Sequence, residues 1–280
     1  MRSGIITPSI TKIFSVEWNQ NIASVQSQLL PATKHFILPD LPDIISDQDR
    51  IEFSNKCINP SQRIHTVAAC NHDNSDSLLN FVSDVDPGSK ILIVGGNNKS
   101  NSQTTMSSID AATILHNEMD NVLWGVINPN DPNSVDCFEQ KVNSGMSGFI
   151  TQPLLSSHAM DTMEIYQDYC TTTTTKNNND ITILTGLAFP KTVRGLRFWA
   201  KLLDQEEELE RDPLFQSHLA FFSQPYFTPM SWIGRELQNN MSLSSNNGVH
   251  FMPLKNIDDL CTIFQSLNNI HRSSSDKVDC

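Results

Sequence analysis

"SGFITQPLL", residues 147–155, runs through small and apolar residues without a charge and then meets Thr151 and Gln152. Pro153 follows and removes a backbone donor, which a strand tolerates at its end. A charge-free run does not alternate between polar and apolar faces. It predicts a strand covered on both sides, as in a parallel sheet flanked by helices. The carboxamide at its end poses a question. A buried Gln needs partners for its carbonyl and its amine, so Gln152 either braces a loop or holds a ligand.

Runs of the same character recur along the chain: "KIFSVEW" (12–18), "HFILPD" (35–40), "RIHTVAAC" (63–70), "KILIVGG" (90–96), "NVLWGVI" (121–127), "ITILTGL" (181–187) and "VHFMPL" (249–254). With "GFITQ" (148–152) they make eight. Helical periodicity separates several of them. "SDSLLNFVSDV" (75–85) offers Ser75 as a cap and spaces Leu78, Leu79, Val82 and Val85 along one face. "DAATILHNEM" (110–119) and "SVDCFEQKVNSG" (134–145) follow, the latter stopped by Gly145. "VRGLRFWAKLLDQEEELE" (193–210) and "IDDLCTIFQSLNNI" (257–270) repeat apolar residues at helical spacing, and "EEELE" reads as a solvated face.

Strand and helix in alternation, eight times, predict a closed (β/α)8 TIM barrel, an α/β fold whose usual size of ~250 residues suits a chain of 280. An open doubly wound sheet is the alternative. The reading is one barrel domain over 1–280, with a helical insert at about 205–245 in the long last connection. "NNKSNSQTTMSS" (97–108) and "TTTTTKNNND" (171–180) are polar and predict exposed, flexible loops.

Composition removes several functions. The net charge is −12, with 19 Lys and Arg against 31 Asp and Glu. That argues against nucleic acid and anionic membranes, which both select clustered cations. No run of ~18 apolar residues exists, and "MRSGIITPSITKIF" has no long apolar core, so neither a membrane span nor a signal peptide is expected. The six cysteines show no C-x-x-C spacing, which predicts separate reduced thiols and a cytoplasmic protein.

In such barrels the chemistry lies where the strands' C-terminal ends meet their loops. Those ends present Glu17, Asp40, the Cys70–His72 group, Asn97, Asn128, Asp131, Gln152, Phe189 and Lys255. No pair of His separated by one residue stands there, so no metal is expected. No Lys ends strand six for a Schiff base, and "GGNN" lacks the Lys-Ser/Thr of a P-loop. An amide-rich rim suits a flat heterocycle with alternating donors and acceptors, such as a flavin or pterin. Glu17 sits against apolar neighbours, which raise a carboxyl group's pKa and suit a general acid; a solvated edge residue is the other reading. Asp131 in "NPNDPN" and Asn97 also read as turn residues. His65 and His72 flank the third strand, where a structural role competes with a functional one.

These stretches, in this order over about 12–256, resemble the methylenetetrahydrofolate reductase family. "FEQKVNSGMSGFITQPLL" is similar to the family segment that runs K-V-D-A-G-A-D into a strand ending I-T-Q. "GVHFMPLKN" resembles its last strand, "IHTVAACNHDNSDSLLNFV" its third strand and helix, "DPGSKILIVGGNN" its fourth strand, and "IFSVEWNQN" the first strand, of which the Glu is kept. The resemblance implies a barrel in which NAD(P)H reduces FAD and the flavin reduces 5,10-methylenetetrahydrofolate to 5-methyltetrahydrofolate. It implies Glu17 as the general acid, and Gln152, Asn97 and Phe189 around the folate. It implies Asn97, Asn128, Asp131, Lys141 and His65 around the FAD. The chain departs from the pattern where Asn97 replaces an Asp, where "NPNDPN" lacks the family's Tyr, Glu and His, and where "PDLPD" and "WNQN" replace its other flavin-side loops. Three readings stand: a divergent reductase, a non-redox folate-binding or regulatory relative without FAD, and a barrel acting on another small heterocycle or carbonyl compound. The partner in the first two is a small-molecule folate, and a homo-oligomer stays open.

Overall fold

The computed structural model describes residues 14–17, 33, 35–38, 59–86, 88–95, 106–177, 181–243, 248–252 and 261–262. Residues 97–105 of the expected loop at 97–108, the expected helix at 257–270 apart from 261–262, and Asp40, Asn97 and Lys255 lie outside them.

All eight expected strands form. They are β1 (Phe14–Glu17), β2 (His35–Leu38), β3 (Arg63–Ala68), β4 (Lys90–Val94), β5 (Val122–Ile127), β6 (Gly148–Pro153), β7 (Thr182–Ala188) and β8 (Gly248–Met252). Each pairs in parallel with the next, and β8 returns to β1, so the sheet closes into a (β/α)8 barrel. The open-sheet alternative is thereby removed.

Period-two alternation sorts the strand residues into two layers. Leu92, Trp124, Ile150 and Leu184 belong to one apolar cluster, and register links them through Leu92↔Trp124, Trp124↔Gly148 and Ile150↔Leu184. Their neighbours Ile91, Ile93, Leu123, Phe149 and Ile183 belong to a second cluster, with side chains of the surrounding helices. The charge-free strands are explained by this: both faces are buried. Trp124 fills the space over Gly148, where an added Cβ would lie 2.2 Å from the indole.

The helices among the described residues are α1 (Ser75–Val82), α2 (Ser108–Glu118), α3 (Ser134–Asn143), α4 (Ser157–Asn177), α5 (Val193–Leu202), α6 (Glu206–Leu209), α7 (Pro213–Phe222) and α8 (Pro229–Leu243). Three details differ from the sequence reading. Asn74, not Ser75, caps α1, accepting from the Ser77 N–H at 2.9 Å. The expected helix over 193–210 breaks at Leu203–Gln205, where Asp204 adopts φ 57°. The threonine run beginning at 171 continues α4 to Asn177 instead of forming a loop. Thr171 and Thr172 donate their hydroxyls to the carbonyls of Gln167 and Asp168 one turn back, at 2.9 and 2.8 Å. Gly145 ends the turn after α3 with φ 96°, as its position predicts.

Candidate functional site

A pocket of about 390 Å³ opens at the C-terminal ends of β4, β5 and β6. Val94 and Gly95 form one wall, Val126 to Asn128 the next, and Gln152 the third. The loop after β5, the inner face of α3 and the turn after α5 complete it.

A β-bulge aims Gln152. Ile150 pairs with Leu184, but the next pairing is Pro153 with Gly186, so β6 carries one residue more than β7 across this interval. Thr151 repairs the ladder with its side chain, its Oγ1 accepting the Gly186 N–H at 2.8 Å. The bulge drives the Thr151 carbonyl against β7, where only glycine fits: a Cβ on Gly186 would lie 2.2 Å from that oxygen. Gln152 is left half-buried at the pocket wall, and its carboxamide bonds to no described group.

The bracing role belongs to Asn130 instead. This side chain is 5% exposed. Its Nδ2 donates to Pro153 O at 2.9 Å and to Asn128 Oδ1 at 3.0 Å. Its Oδ1 accepts from Leu155 N at 3.2 Å and Ser156 Oγ at 3.0 Å. Its own carbonyl accepts Gln205 Nε2 at 2.9 Å. One amide thus ties the loop after β5 to the loop after β6 and to the turn after α5. It also occupies the carbonyl of Asn128, whose amine remains as a donor for the pocket.

Asp131 lines the pocket and serves its turn as well, since its Oδ1 accepts the Asn133 N–H at 2.8 Å. Lys141 lines it from α3. Its Nζ donates to Val126 O at 2.5 Å. Burial strips water from the ammonium and pushes its pKa down, while the Cys137 thiol one turn earlier favours the charge.

Four of the expected residues therefore converge here: Asn128, Asp131, Lys141 and Gln152. The structure does not bring Phe189 or His65 to this pocket. Phe189 follows β7 inside the core, edge-on to Phe251 at 5.9 Å. His65 is buried in β3, in register with Leu38 and Ile91. Glu17 closes β1, in register with Ile37, at the same end of the barrel. Asn97 lies outside the described residues. Sequence reasoning missed Asn130, Ser134, Cys137 and Asp204. For the two α3 residues a signal existed: Ser134, Cys137 and Lys141 stand at helical spacing on one face.

No family model and no curated protein sequence matches this chain. Among solved structures it resembles one from Clostridium thermocellum, described as an uncharacterized protein that binds two copies of 5-methyl-5,6,7,8-tetrahydrofolic acid. The TM-score is 0.60 at 15% sequence identity, over 92% of this chain and 96% of that one. The likeness shows a shared fold. Among the described residues no helix is long and apolar enough to cross a membrane, and no cluster of His, Cys, Asp and Glu could hold a metal.

Proposed function

We propose that this barrel binds a reduced folate, with the pterin ring seated in the pocket at the ends of β4, β5 and β6. The observation that carries the proposal is the unbonded carboxamide of Gln152, set into the pocket by a bulge while Asn130 does the bracing. An amide both gives and takes a hydrogen bond along one heterocycle edge. Asn128 adds donors and Asp131 adds an acceptor oxygen, which matches the alternating edge of a pterin. A pocket of about 390 Å³ is of small-ligand size. The ligand described for the Clostridium thermocellum structure supports folate over other heterocycles.

Calorimetric titration with 5-methyltetrahydrofolate tests this. Wild type is expected to bind. Gln152→Ala is expected to weaken binding by roughly 1–3 kcal/mol, or about five- to 150-fold, the cost of stranding a hydrogen-bonded partner. Equal affinity in both proteins would return Gln152 to a structural role, and no binding by wild type would end the proposal.

The finer reading, from the family resemblance, is reduction of 5,10-methylenetetrahydrofolate by NAD(P)H through FAD, with Glu17 as general acid. The described residues do not fit the phosphate half of FAD. The one cation lining the pocket among them is Lys141, whose ammonium is engaged by Val126 O, and two carboxylates, Asp131 and Asp204, line the same space. A pyrophosphate would meet like charge there. The non-redox reading is therefore the one these residues favour. A flavin absorbance band retained after adding FAD and desalting would restore the reductase.

A further inference from the structure

The connection after β7 opens with "KTVRGLRFWAK" (191–201), which holds four of the 19 cations of an acidic chain and no Asp or Glu. Most of it is α5. This helix starts beyond the C-terminal end of β7, and the turn after it lines the pocket at the ends of β4, β5 and β6. Both ends of α5 therefore lie at the rim that carries the pocket. One face of the helix is anchored: Leu196, Trp199 and Ala200 are buried in the core cluster that includes Phe215 and Trp232.

The opposite face is open and apolar. Phe198 is 51% exposed and Leu202 56%. Single exposed apolar residues are ordinary surface. These two stand at i and i+4, where side chains are neighbours, and Leu202 is itself a wall residue of the pocket. They make a strip that begins at the pocket and leads out of it. Arg194 continues the row one turn further on, about 12 Å along the helix axis from Leu202. Its charge is the available one on this helix. Arg197 donates to Glu210 Oε1 at 2.8 Å, and Lys201 borders a recess with Asp204, Glu206, Glu207 and Glu208. Arg194 has no ion-pair partner among the described residues.

We infer that this face of α5 holds the tail of the folate whose pterin occupies the pocket: Leu202 and Phe198 cover the aryl ring, and Arg194 takes a glutamate carboxylate. The inference rests on the folate reading. From the pocket outward the helix presents an aliphatic side chain, an aromatic one and a cation. Beyond its pterin a folate presents an aryl ring and then an amide-linked glutamate. The ring gains by leaving water against apolar side chains, and a guanidinium donates to a carboxylate through two parallel N–H bonds. The pocket itself repels that end of the ligand, since Asp131 and Asp204 line it and the Lys141 ammonium is engaged by Val126 O. The tail carboxylates are directed out of the pocket and along α5.

Calorimetric titration with three ligands separates the parts. They are 5-methyltetrahydrofolate, 5-methyltetrahydropteroate, which lacks the glutamate, and 5,6-dimethyltetrahydropterin, which lacks the aryl ring as well. Wild type is expected to bind them with affinity falling in that order. Arg194→Gln is expected to weaken 5-methyltetrahydrofolate roughly three- to fivefold and leave the pteroate unchanged, and added salt is expected to remove the difference. Phe198→Ala is expected to weaken both aryl ligands by about fivefold and leave the dimethylpterin unchanged. Both side chains are exposed, so urea midpoints at the wild-type value confirm that the variants fold. Lys201→Gln removes a charge from the same helix beside the acidic recess and is expected to bind all three ligands as wild type does. Equal wild-type affinity for the three ligands, or folded Arg194→Gln or Phe198→Ala binding 5-methyltetrahydrofolate as tightly as wild type, would overturn the tail assignment and leave the pterin in its pocket. Failure of wild type to bind any of the three would overturn the folate reading, and this inference with it.

Discussion

Asn130 shows how much one side chain organises at this rim. It joins its own loop to two others, through residues 23 and 26 positions away at the end of β6 and in the loop after it, and 75 positions away in the turn after α5. Truncation would strand the Pro153 carbonyl, the Leu155 N–H and the Ser156 hydroxyl in a buried place, each costing about 1–3 kcal/mol if nothing replaces the bond. Asn130→Ala is expected to lower unfolding free energy by roughly 3 kcal/mol in urea titrations. Asn130→Asp keeps the accepting oxygen and loses the donor to Pro153, so it should be less damaging than the Ala variant. Both should weaken ligand binding, because Asn128 loses the group that holds its carbonyl. If Asn130→Ala unfolds at the wild-type midpoint, the loops are held by something else. The sequence "NPNDPN" conceals this role. Its composition reads as a turn, and the turn is real, but the distant partners of Asn130 lie at the end of β6, in the loop after it and in the turn after α5, and leave no local trace.

At the level of elements, the strands were legible and their irregularities were not. Continuous apolar runs carry the strand signal, and burial on both faces is why the runs are continuous. The bulge in β6 depends on how β6 pairs with β7, a relation that no window over 147–155 contains. Its one sequence trace is Gly186, the sixth residue of "ITILTGL". Gly186→Ala would press a Cβ against the Thr151 carbonyl at 2.2 Å and against Met252 Cε at 2.9 Å. The methionine end can move, but the carbonyl belongs to a ladder. A loss of about 3 kcal/mol, or several degrees in Tm, is expected, together with weaker ligand binding as Gln152 shifts. A stable Gly186→Ala variant with unchanged affinity would mean that the bulge does not aim Gln152. The threonine run failed as a sequence signal for a related reason: Thr has modest helix propensity and no apolar residue marks a face there, while side-chain bonds to preceding carbonyls accompany the helix it joins.

For the molecule as a whole, two buried histidines set the response to acid. His218, on α7, accepts at Nδ1 from Trp232 Nε1 at 3.2 Å and from an Arg235 guanidinium nitrogen at 3.0 Å. Those two donors fix the neutral tautomer with its proton on Nε2. Burial, helped by the Arg235 charge and opposed by Asp212, pulls its pKa down to about 4. His250, on β8 inside the barrel, contacts the Ser15 hydroxyl at 2.9 Å and is pulled down by burial to about 3. A histidine with a depressed folded pKa binds fewer protons folded than unfolded. Stability is therefore fully present above the unfolded pKa near 6.5 and is lost as pH falls toward 4 and 3. His218 alone should cost about 3 kcal/mol by pH 4. Glu236, 3.8 Å from His218, works the other way: burial raises its carboxyl pKa, so its protonation on acidification offsets part of the loss. Urea midpoints measured from pH 7 to pH 4 should fall steadily, and His218→Gln, which retains an acceptor for Trp232 and Arg235, should flatten the slope between pH 6.5 and 4. A wild-type midpoint that stays level over that range would mean that these histidines take up protons in the folded barrel at their ordinary pKa, and that the donors assigned to Nδ1 of His218 point elsewhere.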